Sequence, residues 1–296
     1  MIGQPRQAEL AQVFSAVGVD GYVHVRDVDD EGAEVDFHGA EPVVLASSFK
    51  VLLVTEYARQ VVAGQLDPAE RVRVRAEDRL GGLGVAGCHD EVDISWRDLA
   101  WFAMALSDNT AADLLIRRVG LDNTQALAAQ LGLADTRIVG GPRQLLASMF
   151  EDVRVDDEAA FAAVFPTLTG EQRAKLGVLD PARTTASTPR DMTRLLCLIW
   201  RDEAGPRPAC EQVRRLMNRQ ASWHRLAAAF DEDVAVAAKS GSVLAVRNEI
   251  GVVTYPDGRR YAVAVFTSGG VGLRRPDIDA AIGRAGRLAV DQLRAR

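Results

Sequence analysis

Ser47-Ser48-Phe49-Lys50, Ser107-Asp108-Asn109 and Lys239-Ser240-Gly241 occur in this order along the chain and together supply the parts of a serine acyl-transfer site. Such a site needs a hydroxyl nucleophile, a neighbouring amine or carboxylate to take its proton, a route for that proton to the leaving group, and a cation for an anionic substrate. Ser47 and Lys50 stand three positions apart, so at a helix start their side chains project from one face and meet. The amino end of that helix adds unpaired N–H groups and a positive dipole, both favourable to a developing oxyanion. Ser48 lacks such a partner, because Val51 is the residue three positions after it. Ser107 can carry a proton to the departing group. Asn109 can donate its amide hydrogens to a substrate carbonyl while its oxygen faces Lys50. Asp108 reads as the residue that ties down the turn. On a strand, alternation sends Lys239 and Gly241 to one face and Ser240 to the other. Lys239 there supplies a point charge for a carboxylate, and Gly241 lets backbone approach a ligand closely.

Taken singly, each string has a plainer reading: an N-cap serine followed by a surface lysine, an ordinary turn, and an edge-strand lysine that discourages aggregation. Their weight comes from occurring together. In combination they resemble the SxxK, SDN and KTG signature of class A serine beta-lactamases and penicillin-binding proteins, with Ser240 in place of Thr. The flanks Asp93 to Leu99, Ser107 to Leu115 and Thr185 to Met192 resemble that family too. The resemblance implies an acyl-enzyme on Ser47 formed from a beta-lactam amide or a related ester. It also implies Lys50 as base or base partner, Ser107 as proton shuttle and Asn109 against the substrate amide. Lys239 and Ser240 would bind the substrate carboxylate, and the N–H groups of Ser47 and Ser242 would form the oxyanion hole. Arg247 matches the family's arginine if about two residues are deleted before it; otherwise it is an outward polar residue on an alternating strand.

The likeness fails at one place. The family carries a Glu-x-x-Leu-Asn string between the second motif and the Thr-x-Pro segment, where the glutamate activates the deacylating water, and this chain has no such string. By spacing, Glu171 is the candidate for that base, although Thr169-Gly170-Glu171 also reads as a helix start. Two alternatives on the same fold stay open: a D,D-peptidase or esterase relative, and a protein that captures an acyl compound without turnover.

These groups need elements to hold them. Apolar spacing predicts helices over Gln7 to Val17, Ser47 to Val62, Thr110 to Val119, Pro189 to Trp200 and Ile278 to Arg294, and one entered through Ser95 as N-cap. Alternation predicts a hairpin from Gly21 to Val28 and Ala33 to Phe37. It also predicts strands over Val234 to Lys239, Ser242 to Val253 and Arg260 to Thr267, the last two joined by the Tyr255-Pro256-Asp257-Gly258 turn. Strands at both ends and helices between give an α/β (α+β) expectation: an antiparallel sheet flanked by helices with an inserted all-helical lobe. The chain reads as one catalytic unit, 1–296, with an α/β lobe from 1–46 plus 216–296, a helical lobe over 47–215, and the site in the cleft between them.

Composition narrows the partners. The 41 acidic against 35 basic residues give a formal charge of -6, which offers no broad attraction for nucleic-acid phosphates. No apolar run approaches the roughly 20 residues of a membrane span. Met1 to Gln7 lacks the pattern of a secretory leader, so a cytoplasmic protein is expected, or a secreted one if a leader has been trimmed. Cys88, Cys197 and Cys210 show no CxxC spacing and the four histidines no metal pattern, so neither a metal nor a cofactor is expected. The expected partner is a small molecule carrying an amide or ester and a carboxylate.

Overall fold

The computed structural model describes residues 4–30, 32–269 and 275–295. The chain opens with α1 (Gln4–Ser15), β1 (Asp20–Asp27), β2 (Glu34–Phe37) and the short β3 (Val43–Val44). There follow α2 (Lys50–Val62), β4 (Arg71–Val74), β5 (Val92–Ser95), α3 (Trp96–Ala105), α4 (Asn109–Val119) and α5 (Leu121–Gln130). The middle holds α6 (Pro142–Val153), α7 (Glu158–Val164), α8 (Gly170–Ala174), β6 (Ala186–Ser187), α9 (Pro189–Trp200) and α10 (Arg207–Met217). Last come β7 (Ala235–Val243), β8 (Val246–Thr254), β9 (Arg260–Ser268) and α11 (Pro276–Arg294).

Strands from both ends of the chain share one antiparallel sheet in the order β2-β1-β9-β8-β7, as the pattern predicts. Alternation along β9 sends Tyr261, Val263 and Val265 into a core with Val23, Val25, Ile278 and Ile282. Ala262, Ala264 and Phe266 enter the opposite core with Ile250, Val252 and the helices of the middle segment. Each fully buried Val, Ile or Phe contributes about 1.5–3 kcal/mol, so helices are held on both faces of the sheet.

Local signals set the helix starts. The Ser95 hydroxyl accepts from Asp98 N at 3.3 Å, and the Thr188 hydroxyl accepts from Asp191 N at 3.1 Å with Pro189 in the first turn. Gly258 takes a φ of 86° in the turn between β8 and β9, a conformation open to glycine without strain.

One region differs from the sequence expectation. Lys239, Ser240, Gly241 and Ser242 do not end one strand and begin another: all four pair with β8, and β7 runs unbroken to Val243. The chain reverses at Leu244-Ala245, where Leu244 takes a φ of 46°. That turn carries neither Gly nor Asn, the residues that mark tight hairpins. The weakly patterned stretch after Asp135 folds into α6, α7 and α8 around a small core of Met149, Phe161, Leu176 and Val178, against which Val243 and Leu244 of the hairpin tip pack. Among the described residues, no helix is long and apolar enough to cross a membrane.

His24 is fully buried, with Nδ1 2.6 Å from Thr193 Oγ1 on α9 and Nε2 3.4 Å from Glu34 Oε2. Burial pushes its pKa from 6.5 down to about 4, against the opposing pull of the Glu34 carboxylate. The unfolded chain therefore binds a proton between pH 6.5 and about 4 that the folded chain refuses, and stability falls as pH drops through that window. Urea unfolding of His24→Phe from pH 7 to 4 is expected to show a flatter acid limb than the parent. An unchanged slope would remove His24 from that limb.

Candidate active site

β3 pairs with β6, and Leu45 N donates to Thr185 O at 3.1 Å, so the approach to Ser47 is fastened to the segment before α9. Ala46 then takes a φ of 45°, a left-handed conformation uncommon for a residue with a Cβ. Residues Ala46–Phe49 make a single tight turn packed on β7 and β8, and α2 begins at Lys50. The two adjacent serines part company here. Ser48 is fully buried and its hydroxyl donates to Leu45 O at 2.6 Å, whereas Ser47 is half-buried.

Lys50 has no exposed surface, and its Nζ donates to Ser107 O at 2.7 Å and Asn109 Oδ1 at 3.0 Å, with Asp108 O and Ser107 Oγ each at 3.4 Å. Burial pushes its pKa down to about 7, opposed by the Asp108 carboxylate. Ser107 sits at a φ of 59°. Asp108 caps α4 through Ala111 N at 3.0 Å and holds Val85 N at 2.8 Å, which makes it the turn-tying residue the sequence suggests. Burial pushes its carboxyl up.

Lys239 is likewise unexposed and donates to Ser240 O at 2.8 Å. Burial first, and then the charge of Lys50, push its pKa well down. The effect of Lys50 on Lys239 places the two amines in one neighbourhood. Register puts Gly241 opposite Asn248, and Ser240 and Ser242 opposite Glu249 and Arg247, so alternation divides the string between two faces as expected. Ser240 N donates to Gln220 Oε1. Glu249 is enclosed, accepts from Leu226 N at 2.6 Å and Gln220 Nε2 at 2.8 Å, and is pushed up by burial.

Arg225 is a residue that no sequence pattern marks. Almost wholly buried, it donates through Nη2 to Ser242 Oγ at 2.7 Å, through Nη1 to Gly241 O at 2.9 Å, and through Nε to Asp279 Oδ1 at 2.8 Å. Arg247 reaches the same carboxylate at 3.4 Å and is only 9% exposed, so it is not the outward polar residue of the plainer reading.

Glu171 stands apart from this cluster. Its side chain is 79% exposed at the start of α8 and pairs with Lys175 at 2.6 Å, while Thr169 caps the helix. Spacing suggested it as a base. The helix-start reading explains it, because a carboxylate that activates water must face the nucleophile rather than solvent. A cleft of about 410 Å³ bordered by Phe14, Tyr22, Phe37 and His38 contains none of the motif residues.

The chain has relatives in sequence and in fold. BlaB of Streptomyces cacaoi, described as a beta-lactamase regulatory protein, is 28% identical over 305 residues, spanning 97% of this chain and 96% of that protein. A beta-lactamase from Sphaerobacter thermophilus superimposes with a TM-score of 0.78 at 24% identity, covering 100% of this chain and 99% of the other. PBP-A, of which a variant has been captured as an acyl-enzyme complex with penicillin G, gives a TM-score of 0.75 for that complex at 18% identity, covering 99% and 97%. These structural likenesses establish the class A beta-lactamase fold. The sequence model of the beta-lactamase enzyme family (Beta-lactamase2) matches residues 5–293, nearly the whole chain, and the protein belongs to that family.

Proposed function

We propose that the chain is a serine hydrolase of the class A beta-lactamase type, forming an acyl-enzyme on Ser47 from a beta-lactam amide or a related ester. The observation that carries this reading is the enclosed Lys50, an amine with a pKa of about 7, one helical turn from Ser47 and bonded to Ser107 and Asn109. Neutral Lys50 takes the Ser47 proton as Oγ attacks the carbonyl carbon. The N–H groups of Ser47 and Ser242 hold the oxyanion. As the tetrahedral intermediate collapses, Ser107 passes the proton to the leaving nitrogen or oxygen, and the acyl group stays on Ser47. Asn109 orients the substrate amide, and Lys239, Ser240 and Arg247 surround its carboxylate, with Gly241 allowing close approach. The whole chain then acts as one catalytic unit, its cleft between the α/β lobe (1–46 with 216–296) and the helical lobe (47–215).

A second reading, capture of the acyl donor without turnover, has one structural observation in its favour. The carboxylates bonded into the cluster, Asp108, Glu249 and Asp279, are enclosed and engaged by N–H donors, so none of the three is an uncommitted base for a water. The regulatory description of the Streptomyces cacaoi relative points the same way. The penicillin acyl-enzyme of the PBP-A variant makes penicillin G the first donor to test.

Intact mass after incubation with penicillin G should show one adduct on the parent, none on Ser47→Ala, and one still on Ser48→Ala. The opposite pattern would move the nucleophile to Ser48. The same time course separates the readings, since return to the native mass means hydrolysis and a persistent adduct means capture.

Acylation should rise with pH through about 7 and level off above it, because Lys50 accepts a proton only when neutral. A stopped-flow profile that is flat from pH 5 to 9 would exclude Lys50 as the base. Replacing Lys239 with Ala should lower kcat/KM for carboxylate-bearing donors on the order of tenfold more than for neutral p-nitrophenyl esters, since a charge-assisted hydrogen bond is worth about 1.5–3 kcal/mol. Equal losses on both donors would remove Lys239 from the anion site.

A further inference from the structure

Asn248 is fully buried on β8, and its Oδ1 has no hydrogen-bond partner. A buried unpaired amide oxygen needs a reason. The reason lies at the other end of the amide, where Nδ2 donates to Val44 O at 3.1 Å and to Leu45 O at 3.0 Å. Turning the amide over would set Oδ1 against those two carbonyl oxygens, so its orientation is determined.

The carbonyl of Leu45 is a junction. It also accepts from Ser48 N at 3.1 Å and Ser48 Oγ at 2.6 Å. The strand before the nucleophile and the turn after it are thus drawn to one oxygen. Between them Ala46 is held at its left-handed φ of 45°, a conformation that persists only where surrounding contacts impose it.

On the sheet side, Arg225 Nη1 binds both Asn248 O at 2.5 Å and Gly241 O at 2.9 Å, locking β8 to β7 at this register. The joint has no slack. A Cβ added to Gly241 would stand 2.4 Å from Asn248 Oδ1 and 2.8 Å from Leu45 O. Leu45 lies two residues before Ser47, and Gly241 one residue before Ser242.

We propose that Asn248 is a positioning residue that sets the separation between the nucleophile segment and the oxyanion strand. Its amide pins Val44 and Leu45 to β8, whose pairing fixes Gly241 and Ser242, so the N–H groups of Ser47 and Ser242 converge on one oxygen. This rests on the acyl-transfer reading of the site. Asn248 meets no substrate and acts through Leu45 and Gly241.

The test compares the parent with Asn248→Leu, which keeps volume without donors, and with Asn248→Ser, which adds no bulk and cannot reach both carbonyls. Three readouts are taken: the rate of Ser47 modification by penicillin G and by a fluorophosphonate, thermal unfolding, and the infrared carbonyl stretch of the penicilloyl-enzyme. Both variants should acylate about 100-fold more slowly, the scale of losing or misplacing one oxyanion donor. Their ester carbonyl band should move to higher wavenumber as its hydrogen bonds weaken. A merely structural role would lower the Tm and leave the band in place, and that result would overturn the proposal. So would acylation within about threefold of the parent, well short of an oxyanion-donor effect. If Asn248→Leu does not fold, Asn248→Ser decides. A parent chain that neither reagent modifies at Ser47 would overturn the acyl-transfer reading and this inference with it, whereas a reactive parent with equally reactive variants overturns this inference alone.

Discussion

Lys50 carries an amine to a point without solvent exposure, and an amine taken from water is costly unless acceptors meet it. Those acceptors come from the Ser107 carbonyl and the Asn109 side chain, 57 and 59 residues further along the chain. Satisfying one buried nitrogen therefore determines where the corner between α3 and α4 stands relative to α2. The corner transmits the constraint, because Asp108, whose own carbonyl faces Nζ, caps α4 and holds Val85 of the neighbouring loop. In the acyl-transfer reading, the residue that takes the proton is also the one that fixes this corner.

The opposite wall is assembled by backbone carbonyls. Arg225 and Asn248 are buried polar side chains whose donors go largely to main-chain oxygens of Gly241, Asn248, Val44 and Leu45. Such bonds cost little when fully made and much when broken, because a buried carbonyl left unpaired loses its water without replacement. Positive φ values at Ala46 and Ser107 occur where these two sets of contacts meet the site. Strain of that kind is held by its surroundings, so the corners at Ala46 and Ser107 are the places where the packing must be most rigid.

Much of this was legible because chemistry restricts residue types. The first two strings meet through Lys50, which bonds to Ser107 and Asn109, and the lysine three positions after Ser47 distinguishes that serine from Ser48, whose hydroxyl the structure commits to Leu45 O. The cap at Ser95 and the turn-tying role of Asp108 were local and readable, as was the alternation of β9. Arg225 and Asn248 were not, since each is a lone polar residue whose partners have no sequence pattern; the bond from Asn248 to Val44 spans 204 residues. The continuity of β7 was hidden by an apolar turn at Leu244-Ala245, and the packing of α6 and α7 by a small core completed from the distant hairpin tip. Glu171 shows the reverse error, in which spacing alone selects a carboxylate that folding leaves in solvent.

Two enclosed amines in one neighbourhood cannot both be ammonium cheaply, and the Lys239 pKa is pushed down by burial and then by Lys50. In the acyl-transfer reading a substrate carboxylate changes this balance. An anion beside Lys239 favours its charged form, and that charge in turn disfavours a proton on Lys50. Recognition of the carboxylate and the protonation of the two amines are then electrostatically linked. Asp108 and Glu249 take part in the same balance, Asp108 drawing the Lys50 pKa up and Glu249 drawing the Lys239 pKa up against the effect of burial.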